Sequence, residues 1–74
     1  MNGGVKMSEQ ILLGEQRRMA EAVRGACIRA ALEGYERAAL DGLCHEGAWE
    51  AAVDAIRALD VNSIIQKLYQ ESVG

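Results

Sequence analysis

Proline and phenylalanine are both absent from this 74-residue chain, and aromatic residues make up only 4% of it. Without proline nothing forces a helix to break, and with few β-branched residues beyond isoleucine and valine the composition favours helix over strand. Without phenylalanine the 50% hydrophobic content is mostly alanine and aliphatic side chains, which pack closely but supply little area per residue. The chain has no apolar run approaching membrane-spanning length, so no membrane association is expected. Nor does it have a basic excess. Eight basic residues stand against eleven acidic ones, for a net charge of −3. Residues 1–41 balance, whereas 42–74 carry only Arg57 and Lys67 against Glu46, Glu50, Asp54, Asp60 and Glu71. No basic face is available for a phosphate backbone, and nucleic-acid binding is not expected. No glycine-rich phosphate loop, nucleophile–base pair or paired catalytic acid is recognisable, so the chain is read as non-enzymatic, with no cofactor. Two cysteines and no export signal lead to free thiols and a cytoplasmic location as expectations.

What is present is helical periodicity within one small domain. Residues 1–7, "MNGGVKM", lack it and are expected to be a disordered or appended N-terminus outside a single domain spanning 8–74. Ser8 offers a helix cap, and a long first helix is expected over about 9–41. It should stop at Gly42, which can take a left-handed conformation, with Leu43 folding back as the apolar residue that follows such a stop. A second helix is expected over about 46–59 and a third over about 63–72, capped by Asp60 or Asn62 or by a Ser63–Gln66 box. Together the two match the first helix in length and can lie antiparallel along it.

The first helix carries the more specific pattern. Ala22, Ala26, Ala30, Gly34 and Ala38 recur every fourth residue and form a line of small side chains along which another helix backbone can approach. Beside this line run Val23, Cys27, Ala31, Tyr35 and Ala39, with Ile28 and Leu32 beyond. On the second helix Trp49, Val53 and Ile56 share one face. Counting residues from the turn sets Tyr35 near Ala52 and Trp49 near Ala38 or Ala39, large opposite small. An apolar arc this wide is more than one short hairpin covers. The reading is therefore an all-α chain completed as a helical bundle by self-association, a dimer being favoured, with a larger protein as a further partner.

"DGLCHEGAWE" is the stretch with the most chemistry. A helix N-terminus beside Cys44 favours a reactive thiolate, and His45 is the only imidazole. This gives the competing reading, a thiol- or metal-responsive sensor centred on Cys44 and His45. Structural zinc takes about four ligands, however, and Cys27 lies on the order of 20 Å along the helix from the turn. Only a dimer pooling two Cys44–His45 pairs would assemble a site. The leading function is a helical interaction module, a small homodimeric accessory or regulatory protein. The acidic ridge of Glu46, Glu50 and Asp54 is read as a solvated face.

Overall fold

A computed structural model describes residues 6–73, and all three expected helices form: α1 (Met7–Leu40), α2 (His45–Arg57) and α3 (Val61–Val73). Among the described residues there is no strand. Of the N-terminal segment expected over 1–7, residues 1–5 lie outside this range, while Lys6 and Met7 are the cap and first residue of α1. α1 opens two residues earlier than expected. Lys6 occupies the cap position, its backbone N–H donating to the Glu9 carboxylate at 3.1 Å, so Ser8 falls within the first turn and is not the cap. α1 runs unbroken through Gly14, Gly25 and Gly34.

It ends as the glycine predicts. Gly42 has φ +93°, its N–H donates to the Ala39 carbonyl and the Leu43 N–H to the Ala38 carbonyl, both at 3.0 Å. These are the paired bonds of a Schellman stop, which satisfy carbonyls that the helix end would otherwise leave open. Leu43 then serves the next helix: its side chain lies over Gly47, where an added Cβ would meet Leu43 Cδ2 at 3.3 Å. One residue thus closes α1 and seats the first turn of α2.

α1 packs along α2 over its C-terminal half and meets α3 less extensively further back, while α2 and α3 do not pack on one another. The small-residue line is the contact line: Ala26 and Ala38 are buried and Ala22, Ala30 and Gly34 half-buried. Across from it, Ala48 and Ala52 are the most deeply buried residues, at 1% and 2% exposure. At Gly34 the approach is closest. A Cβ there would stand 3.0 Å from Ala55 Cβ and 3.1 Å from the Ala51 carbonyl oxygen.

This packing does not enclose a core. The four buried hydrophobic residues are all alanine. The molecule measures 56 × 34 × 13 Å, and its thin dimension holds at most two helices at an interaxial distance of about 8–10 Å. Its radius of gyration is 17.4 Å, against about 11 Å for a compact chain of this length. α1 is not amphipathic in the ordinary sense, its apolar residues pointing to several sides, whereas α2 and α3 each have one clear apolar face. No described helix is long and apolar enough to cross a membrane.

Candidate interaction site at the helical hairpin

The turn and the two helices it joins bring most of the singled-out residues together. Cys44 is the N-cap of α2, with its sulfur accepting the Gly47 N–H at 3.4 Å. Sulfur is a weak acceptor, so the cap is a poor one compared with serine or aspartate. His45 begins the helix and turns back onto α1, where its Nδ1 lies 2.6 Å from the Tyr35 hydroxyl. With the ring proton on Nε2, the phenol donates this hydrogen bond. The two rings also meet edge to face, their centroids 5.7 Å apart. The two groups with most chemical potential are thus engaged in the turn, Cys44 as cap and His45 as the link between helices. Cys27 is a half-buried free thiol on α1. Among the described residues no cluster of three or more histidine, cysteine or carboxylate side chains could hold a metal ion.

Tyr35 and Trp49 do not sit where the distance from the turn placed them. Gly34, rather than Tyr35, lies over Ala52, and Tyr35 reaches His45 instead. Trp49 is 62% exposed and flanked on its own helix by His45, Glu46, Glu50 and Val53. Equal distance from a turn fixes the level along the helix axis but not the direction around it. Tyr35 follows Gly34 by one residue and so points about 100° away from the line that faces α2. The inter-helix contact is therefore small against small, and the large side chains stand beside it.

That displacement creates a face. Tyr35 and His45 mark one side of the hairpin. Ile28, Leu32 and Ala39 follow Tyr35 at helical spacings on α1, and Trp49 and Ile56 follow His45 on α2. Ile28 is 53% exposed, Leu32 64% and Ile56 38%. Val53 is half-buried at the edge. The opposite side of the hairpin is a shallow surface lined by Arg37, Asp41, Asp54 and Leu43, with small residues between them. Asp54 there pairs with Arg57 at 3.2 Å, both largely exposed, an arrangement that contributes little to stability. Further along α1, Ala22, Gly25, Ala26 and Ala30 line an open groove of about 480 Å³ with Leu59, Ile64 and Leu68.

α3 is held at its start by Asp60. Its carboxylate accepts the Ser63 hydroxyl at 2.8 Å and the Ser63 N–H at 3.3 Å. Asp60 is therefore the cap, and Ser63 donates to it rather than pairing with Gln66. The side-chain bond from Ser63, reinforced by the backbone one, holds the Asp60 carboxyl below the ordinary aspartate value.

Compared with known proteins, the chain matches no protein-family model, no curated protein and no solved structure.

Proposed function

We propose that this chain is a non-enzymatic helical interaction module that works as a homodimer, with exposed helix surface left over to dock a larger protein. The observation that carries this reading is the area left uncovered. The chain exposes 6150 Å², whereas a compact monomer of 8.0 kDa exposes about 4,450 Å². The excess, about 1,700 Å², is roughly twice what one partner buries in a standard protein interface. A hairpin this thin has no other way to remove Ile28, Leu32 and Trp49 from water. His45 is occupied in linking the turn to α1, whereas Cys44 stays exposed with its sulfur at the start of α2. Sedimentation velocity on the full chain tests the reading: a mass of two chains is expected at tens of micromolar, and a single-chain mass there overturns it.

A further inference from the structure

We infer that α3 works as a strap: hinged at residues 58–60, it opens and closes as a unit of its own and uncovers the 22–30 stretch of α1 while the hairpin of α1 and α2 stays folded. Self-association is not needed for this motion.

The unequal packing of the three helices is the first observation behind it. α1 and α2 approach as closely as Gly34 against Ala51 and Ala55, and they bury Ala48 and Ala52 almost completely. α3 meets α1 less extensively and does not pack on α2. None of its described side chains is buried: Ile64, Ile65 and Leu68 are half-buried, and Tyr69 is 72% exposed. Lifting α3 therefore gives up little apolar contact, whereas parting α1 from α2 gives up the whole of the hairpin interface.

The space beneath α3 is the second. An open groove of about 480 Å³ lies between Ala22, Gly25, Ala26 and Ala30 of α1 and the side chains of Ile64 and Leu68. Packed interiors leave few voids larger than a water molecule, so α3 is not seated on the small-residue line as α2 is at Gly34.

The third is how α3 is held. Its start rests on the Asp60 carboxylate, which accepts the Ser63 hydroxyl at 2.8 Å and the Ser63 N–H at 3.3 Å, both exposed to water. These bonds stabilise α3 as a helix but tie it to neither neighbour. Residues 58–60 alone join it to α2. A helix of 13 residues is marginal by itself in water, so α3 melts when it leaves α1, and docking and helix formation are coupled in it. Loss of the cap then favours the open state even though Asp60 touches no other helix.

Hydrogen exchange on the full chain, followed amide by amide by NMR over a urea series below the unfolding transition and at one protein concentration, tests this. Residues 65–70 of α3 should converge on one opening equilibrium, about tenfold or more easier than that of residues 49–56 in α2, and with a shallower urea dependence because less surface is exposed. Asp60→Ala should speed exchange across α3 together by about fivefold and leave α2 unmoved. Exchange in α3 with the rate and urea slope of α2 would mean that the chain opens only as a whole, and the strap would be overturned. Rates that grade inward from the end of α3 without converging would be fraying, and would overturn it too. So would Asp60→Ala speeding α2 as much as α3.

Discussion

Three glycines in α1 separate what the helix wants from what the hairpin permits. Replacing glycine by alanine inside a helix ordinarily adds about 0.8–1 kcal/mol, because alanine loses less backbone freedom on folding. At Gly14 an added Cβ meets nothing within 4 Å, so Gly14→Ala should gain that full amount. At Gly25 the nearest atom is Arg29 Nη1 at 3.5 Å, the tip of a flexible side chain, and the gain should be nearly the same. Gly34 is different. Its Cβ would stand 3.0 Å from Ala55 Cβ, 3.1 Å from the Ala51 carbonyl oxygen and 3.4 Å from Ala52 Cα. None of these can swing aside, so α2 has to retreat as a unit by a few tenths of an ångström. Overpacking of this kind costs about 1–3 kcal/mol, which outweighs the helix gain. Gly34→Ala should therefore be neutral to about 2 kcal/mol less stable than the wild type. With about 4–8 °C per kcal/mol for a domain of this size, the Gly14 variant should raise Tm, while the Gly34 variant should leave it unchanged or lower it. Differential scanning calorimetry at one fixed protein concentration gives the comparison, since association contributes to Tm. A Gly34→Ala variant that gains as much as Gly14→Ala would mean that α2 does not approach α1 at this point, and the account of the hairpin would fail.

The two helix starts give further tests. Cys44→Ser or Cys44→Asp replaces a weak sulfur acceptor with a strong oxygen one at the Gly47 N–H, and should stabilise the chain by about 0.5–1 kcal/mol in urea unfolding; a loss would mean that the thiol packs rather than caps. At Asp60 the folded carboxyl lies below its ordinary value, so the unfolded chain takes up the proton first. The cap's contribution is fully present at neutral pH and is lost as pH falls below about 4 and through the lowered folded value. Helical ellipticity should fall in that acid range, and Ser63→Ala should move the carboxyl titration, followed by NMR, back toward the ordinary aspartate value; an unmoved titration removes Ser63 as the cause.

How much of this was legible depends on whether a residue pattern has one physical reading or several. A glycine and four alanines at every fourth position can mean close approach of another helix or only helix-forming preference, and all five are buried or half-buried, as close approach requires. Gly42 has one reading, and the stop forms with the two bonds it requires, whereas the Leu43 side chain lies over Gly47 of α2. Capping residues have several. Ser8 was outcompeted because Glu9 satisfies the Lys6 N–H, which lets the helix start earlier, and Ser63 became a donor to Asp60 instead of a cap in its own right. Tyr35 and Trp49 were misplaced because sequence distance from a turn carries no information on rotation about the helix axis. Their true position turned an expected internal fit into an external face, and the Tyr35–His45 contact had no signal in the sequence beyond its two residue types.

The same rotation bears on where stability comes from. Close approach through alanine and glycine lets two backbones meet but hides little apolar area, about one methyl group per alanine. The side chains able to supply area, Ile28, Leu32 and Trp49, lie outside that contact. If a second copy covers them, folding and association are one process, and Tm must depend on concentration. A hundredfold rise in protein concentration adds about 2.7 kcal/mol per dimer, or about 1.4 kcal/mol per chain. For a chain of this size that raises Tm by about 5–10 °C. Thermal unfolding followed by circular dichroism at two concentrations a hundredfold apart reads this directly. A Tm that stays constant across that range would show that the small-residue contact between α1 and α2 holds the fold unaided, and the argument from uncovered area would lose its force.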